Sequence, residues 1–345
     1  MSSLVLTIRE TLRYRGAIGQ WSWVLHRITG LGVVLFLALH VLGVGMAFYA
    51  PGLWEKEIAV YQSPLFTIGE FALVACVIYH AYNGLRISIF DFNPRLWKHQ
   101  KRAAYIVLAA TVVTLVPVFA LMFNHVLHFY ETSPQVVGIP FIIETLLPYM
   151  IGGAVAVILA VVIAGVLGLF VKGGPQTVSA KHLDNKVERF WWSFMRISGV
   201  LIIPLVFGHL MGQHVIQGVF DITAIDKVVV GTSSVNLSGT ATEYVAHRWN
   251  ELVAGIAIWR AYDVALLALV VVHGFNGLRY VLTDYTMGSP LLRRASIVLT
   301  LGAGAGLLLF GAGALIGNID QDAINMAVKT ACELGRVVVG CEAVP

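Results

Sequence analysis

Hydrophobic residues run almost without interruption through seven stretches, at 24–48, 65–90, 104–128, 147–171, 193–217, 260–283 and 295–317. A helix rises about 1.5 Å per residue and the hydrocarbon core of a bilayer is about 30 Å thick, so each stretch is long enough to cross as a helix. The intervening segments are polar and charged, and those at about 49–64, 218–259 and from 318 onward are the longer connections and the tail. This pattern predicts an all-α integral membrane fold with seven transmembrane helices. Composition agrees: 58% of residues are hydrophobic and 12% charged, too apolar a mixture for a soluble domain of this size. The first apolar run lacks a basic leader and cleavage site and outlasts a signal peptide's hydrophobic region, so it is read as a retained helix.

Charge adds an orientation. Arg9, Arg13, Arg15, Arg95, Lys98, Lys101, Arg102, Lys172, Lys181, Lys186, Arg189, Arg293 and Arg294 fall in segments on the side of the N-terminus, whereas Lys56, Lys227, Arg248, Lys329 and Arg336 fall on the other. Cytoplasmic segments carry the excess of Lys and Arg, which predicts a cytoplasmic N-terminus and an external C-terminus in a prokaryotic cell membrane. The net charge of +4 is therefore an anchoring pattern and gives no reason to expect nucleic acid. Cys76 lies within a span, and whether Cys332 and Cys341 of the external tail are bridged stays open.

Two internal correspondences divide the chain. Arg27-Ile-Thr-Gly matches Arg196-Ile-Ser-Gly, and thirteen residues beyond each arginine stands a histidine, His40 and His209. The segment HAYNGLR at 80–86 matches HGFNGLR at 273–279, and five residues beyond each arginine stands an aspartate, Asp91 and Asp284. Two parallel three-helix units, 1–130 and 186–317, are expected, with a connector at 131–185 whose helix 147–171 restores the orientation that an odd number of spans reverses. Residues 318–345 form the external tail.

The histidines carry the candidate chemistry. Ionisable side chains within spans face a bundle interior and mark functional sites. At about 1.5 Å per residue, His40 and His209 lie about 20 Å outward from Arg27 and Arg196, while His80 and His273 lie about 9 Å from Arg86 and Arg279, nearer the cytoplasm. Facing imidazoles in a four-helix core, here built from the first, second, fifth and sixth spans, are the axial ligand set of a bis-histidine haem. Two layers predict two haems. Gly84 and Gly277, one turn from the inner histidines, give a flat macrocycle room, and Arg86 and Arg279 can reach propionates. No C-x-x-C-H occurs, so the haems are expected to be b-type. There is no Gly-rich dinucleotide fingerprint or C-x-x-C cluster, which assigns FAD and iron–sulfur clusters to other chains. His125, His128, His214 and His247 are read as solvated near the outer surface, with His214 the best candidate there for an external role, and His99 and His182 as inside-loop residues.

The segment WSWVLHRITG at 21–30 with HAYNGLR resembles the first membrane-anchor subunit of succinate dehydrogenase, and FMRISG at 194–199 with HGFNGLRYVLTDY at 273–285 resembles the second. The chain thus looks like a fused cytochrome b anchor of succinate:quinone oxidoreductase. The resemblance implies a flavoprotein and an iron–sulfur subunit docked on the cytoplasmic side and passing electrons from succinate to quinone. It implies His80 and His273 as ligands of the inner haem, and His26 and Arg196 beside propionates with Arg86 and Arg279. Around a quinone it implies Arg27, Asp284 and Tyr285. In the single-haem branch a serine stands four residues before the arginine equivalent to Arg27; here that position is Trp23, with Ser22 adjacent, so both enter the candidate quinone site. The outer pair, His40 and His209, resembles the two-haem branch that commonly uses menaquinone. The competing expectations are a quinol:fumarate reductase anchor, an ascorbate-dependent type of transmembrane cytochrome b, and a parallel-repeat transporter using the histidines as proton relays.

Overall fold

The computed structural model describes residues 16–132, 137–170 and 186–341. Arg9, Arg13, Arg15, Lys172, Lys181 and His182, which entered the expectations above, lie outside the described residues. In chain order the helices are α1 Ile18–Tyr49, α2 Pro51–Tyr61, α3 Pro64–Phe92, α4 Gln100–Thr132, α5 Ile139–Phe170, α6 Lys186–His209, α7 Gly218–Asp221, α8 Ala241–Asn250, α9 Ile258–Tyr285, α10 Pro290–Ile316 and α11 Gln321–Glu333. Between α6 and α7 the backbone widens into a π-helical stretch, Leu210–Gln217, so that 186–221 forms one span. Among the described residues seven helical segments are long and apolar enough to cross a membrane, as the apolar runs predict. They extend beyond those runs, because proline at the first helical position starts α3 and α10 where its missing N–H costs nothing.

Four of these helices close on one another: α1 packs against α3 and α9, and α6 packs against the same two. This is the expected core of the first, second, fifth and sixth spans. On the outside, α4 covers α3, α10 covers α9 and α1, and α5 lies against α10. Two reciprocal ion pairs join the ends of the core helices. Arg27 of α1 meets Asp284 of α9 at 2.5 Å, and Arg196 of α6 meets Asp91 of α3 at 2.7 Å. Each guanidinium also stacks on an indole one turn earlier, Arg27 on Trp23 at 4.0 Å and Arg196 on Trp192 at 4.1 Å. Residues at corresponding positions of the two matched motifs thus make the same contacts with exchanged partners. We call this end of the bundle the basic face.

The opposite end carries an ordered cap where the sequence promises only polar loops. It comprises α2, a two-stranded antiparallel ribbon of β1 Lys227–Val228 and β2 Val235–Asn236, α8 and α11. Trp54, Ile58, Tyr244, Val245 and Trp249 continue the apolar core into it. Glu55, fully buried, accepts from the Thr242 amide at 2.9 Å and its hydroxyl at 3.0 Å and pairs with Arg336 at 2.6 Å. A buried carboxylate is stable only with such partners. Cys332 and Cys341 are disulfide-bonded, which closes the tail around Arg336.

Candidate cofactor site: a histidine-lined cavity

An elongated cavity of about 580 Å³ runs between the four core helices, with α8 and α10 also contributing to its wall. His26, His40, His80, His209, His214 and His273 all line it, together with glycines and aliphatic side chains. At its end toward the basic face, the ring of His80 stacks on His26 with centroids 4.0 Å apart and planes 9° from parallel. The Nδ1 of His80 is 3.1 Å from the His26 carbonyl oxygen. A carbonyl can only accept, so this nitrogen carries the proton and Nε2 is left with a bare lone pair. The same holds for His273 by a different route. Its Nδ1 lies 2.9 Å from Ser198 Oγ, and that hydroxyl donates its own hydrogen to the Phe194 carbonyl at 2.6 Å. Ser198 therefore accepts from His273. Both imidazoles are held by one nitrogen and free at the other, the arrangement in which a second partner fixes the tautomer of a metal-ligating histidine.

Glycine clearance comes from an unexpected place. A Cβ on Gly30 would lie 2.8 Å from His80 Cε1, and one on Gly199 would lie 3.3 Å from His273 Cε1. These are the glycines that end the RITG and RISG motifs, and each lets an imidazole rest against helix backbone. Gly84 and Gly277 also line the cavity, but a Cβ there would make ordinary contacts of 3.5 Å with His26 and 3.6 Å with Met195.

Arg86 and Arg279 lie on the same helices as His80 and His273 but do not line the cavity; Arg86 is close enough to His26 to act on it electrostatically. Arg86 is buried and donates through Nη2 to Ser22 Oγ at 2.9 Å, while its Nε and Nη1 have no partner among the described residues. Arg279 stacks on Tyr280 at 4.4 Å, donates through Nε to Asn276, pairs through Nη1 with Glu188 at 3.8 Å, and has a buried Nη2 without a partner among the described residues. Buried N–H groups left unpaired are costly. The unpaired N–H groups of Arg86 and Arg279 fit an anionic group such as a haem propionate reaching past the cavity wall, and two histidines each with a free Nε2 fit a b-type haem. Arg27 and Arg196 do line the cavity, and Arg196 gives Nε and Nη2 both to Asp91.

Nearer the cap, His40 and His209 meet edge-on at 5.8 Å between centroids. A third imidazole joins them: His214 lies 6.1 Å from His40 and 5.8 Å from His209. The expectation that His214 is solvated is corrected here. On an α-helix five residues rotate a side chain roughly 140° away from the starting face. The π-helical stretch has i→i+5 repeats, which return His214 to the face of His209. Its Nδ1 is 2.9 Å from Glu70 Oε1. Asp263 and Trp249 also line this end; Arg248, counted above as an external-loop cation, is buried, 3.7 Å from Asp263 and stacked on Trp259 at 4.2 Å.

The candidate quinone residues separate into two groups. Trp23, Arg27, Asp284 and Tyr285 share the basic face, with Trp23 43% and Tyr285 74% exposed. Ser22 does not join them. It is buried, donating to Asn83 Oδ1 at 2.7 Å and accepting from Arg86 and Tyr79. Among the described residues no three His, Cys, Asp or Glu side chains converge as a site for a bare metal ion.

Fold and cavity together define a class: a multi-pass helical membrane protein whose four-helix core gathers histidines from four helices along one cavity. The comparisons narrow this. The chain belongs to the succinate dehydrogenase/fumarate reductase transmembrane subunit family, which matches residues 8–119 and 176–312. It is 36% identical over 104 residues to the succinate dehydrogenase 2 membrane subunit SdhC of Mycobacterium tuberculosis, covering 30% of this chain and 76% of that one. It is 26% identical over 104 residues to the succinate dehydrogenase hydrophobic membrane anchor subunit of Halobacterium salinarum, covering 29% of this chain and 80% of the relative. No solved structure matches.

Proposed function

We propose that this chain is the cytochrome b anchor of a succinate:quinone oxidoreductase, with two anchor subunits fused and two haem b sites in its core. The observation that carries the reading is the pair His80 and His273, each fixed through Nδ1 with Nε2 left free, and both lining the same cavity. Haem bound there would supply one-electron storage between an iron–sulfur subunit and quinone. The chain's own residues bind and orient. His80 and His273 ligate the inner iron and His40 and His209 the outer one, while Arg86 and Arg279 use their unpaired N–H groups on the inner propionates, with His26 and Arg196 beside them. The match of the family in two stretches, one in each half, supports the fusion, and the reciprocal pairs Arg27–Asp284 and Arg196–Asp91 support two parallel repeats joined by α5.

The basic face is cytoplasmic in this reading, following the Lys and Arg excess. There the iron–sulfur subunit docks, with the flavoprotein subunit beyond it, and FAD and the clusters belong to those partners. Trp23, Arg27, Asp284 and Tyr285 receive the quinone headgroup. The Arg27–Asp284 pair fixes the guanidinium over Trp23, and the Tyr285 hydroxyl donates to a ring carbonyl as negative charge develops on it. The second histidine layer favours menaquinone, and both relatives named above favour succinate oxidation as the working direction.

The test is purification through a tag on this chain in mild detergent. Flavoprotein and iron–sulfur subunits should copurify, succinate should reduce a menaquinone analogue, and Tyr285→Phe should lower that rate by about 100- to 1,000-fold while leaving haem content intact. A chain that purifies without those subunits, or a Tyr285→Phe complex with an unchanged rate, contradicts the assignment.

A further inference from the structure

The segment joining α8 to α9 does not behave as a solvent loop. Val253 and Ile256 exchange two backbone hydrogen bonds, Val253 N–H to Ile256 C=O at 3.0 Å and Ile256 N–H to Val253 C=O at 3.1 Å. Between them Ala254 and Gly255 both have positive φ, 53° and 80°. That is the two-residue turn whose twist suits a tight hairpin, and it needs left-handed backbone at both central positions. Alanine adopts this at a cost of about 1 kcal/mol, where asparagine or glycine would be easier. The tip is thus a rigid, self-bonded loop that presents apolar side chains.

Those side chains have no cover among the described residues. Leu252 is 62% exposed, Val253 50% and Ile256 63%. Ala254 and Gly255 are exposed as well, and no charged residue stands between Glu251 and Arg260. The base of the hairpin is fixed at a definite level. Arg260 donates from Nε to the Trp249 carbonyl at 2.7 Å, from Nη2 to Asn250 at 2.7 Å, and from Nη1 to the carbonyls of Leu315 and Gly317 at 3.0 and 2.8 Å. It ties the hairpin to the last turn of the membrane-spanning α10, where Ile316 is 80% exposed.

We propose that the hairpin Leu252–Ile258 inserts its tip into the leaflet on the capped side of the membrane, as an interfacial wedge beside α9 and α10. Three observations select lipid as the occupant. The apolar tip is continuous with the lipid-facing span that begins at Ile258, and the Arg260 anchor holds its base at the outer end of α10. The hairpin also closes its own pair of backbone hydrogen bonds, and its remaining backbone groups can be met by water and headgroups at interfacial depth. The proposal is independent of the haem and quinone reading.

The test uses nitroxide labels on the intact complex in phosphatidylcholine–phosphatidylglycerol nanodiscs. The label is placed by Ala254→Cys in a Cys76→Ser background, without reductant so that Cys332–Cys341 stays bonded. Leu309→Cys, on the exposed flank of α10, is the lipid reference, and Lys329→Cys on the cap helix α11 is the water reference. Oxygen partitions into acyl chains and a nickel chelate stays in water, so their relative effect on power saturation reads depth. The ratio at 254 is expected to group with 309, several-fold above 329, and Val253→Asp with Ile256→Asp should bring it down toward 329. A ratio grouping with 329 in the parent would overturn the proposal. So would a label shielded from both reagents, since that places protein, such as a second copy of the chain, over the tip.

Discussion

At the scale of single residues, the weight falls on how each imidazole is held. Ser198 gives its own hydrogen to Phe194 and accepts from His273, so Ser198→Ala removes the acceptor that fixes the tautomer without touching the ligand. Loss of such a supporting group weakens metal binding by about 10- to 100-fold. Ser198→Ala is therefore expected to release the inner haem more readily on dilution, with an altered low-spin electron paramagnetic resonance signal for that haem alone. Two glycines give a sharper contrast. Gly30→Ala puts a methyl 2.8 Å from His80 Cε1 and should shift the inner haem's spectrum, whereas Gly84→Ala, with 3.5 Å to its neighbour, should leave the spectrum as it was. An unaltered Gly30→Ala spectrum would show that His80 does not rest where the structure has it. Paired spacing made the four core histidines legible in the sequence. His214 was not legible, because its place depends on a π-helical turn that no apolar periodicity announces. His26 escaped as a stacking partner for the same kind of reason: a ring on the adjacent helix meets His80 only through the crossing of α1 and α3.

Among the elements, the long helices were readable because each needs nothing but an apolar run, while the cap was not. Helices α2, α8 and α11 are short and carry acidic and basic residues that look solvent-bound in sequence. They are ordered by pairings across the chain, such as Glu55 with Arg336 and Thr242, separated by 281 and 187 residues. Glu57 on α2 tests how tightly the cap sits. It accepts from Tyr149 of α5, its Oε2 has no partner among the described residues, and burial raises its pKa from 4.5 to about 7. Its neighbour Gly43 leaves space for this oxygen, since a Cβ there would come within 2.6 Å. Because the folded pKa lies above the unfolded one, the folded protein holds the proton more strongly. The contribution of Glu57 is then complete below about pH 4.5 and is lost as pH rises through about 7. Glu57→Gln should abolish that part of the pH dependence and raise stability at pH 8 by about 1–3 kcal/mol, a few degrees in the melting midpoint. Parallel melting curves for parent and variant between pH 5 and 8 would refute it.

Across the whole molecule, the account is one of duplication around a shared cavity. The matched motifs do more than repeat: Arg27 reaches the aspartate of the other half, and Arg196 reaches back, so neither half has a complete set of contacts alone. The sequence showed the pairs of motifs but could not show this exchange, because it depends on the four core helices closing in the order α1, α3, α6, α9. That closure also sets the two histidine layers along one axis, each drawing from both halves. The central claim is that both layers hold iron. A pyridine haemochrome assay against protein concentration on the purified complex measures it directly: the prediction is two haems b per chain, falling to one in His80→Ala. A colourless preparation, or a haem content unchanged by that substitution, would contradict the account.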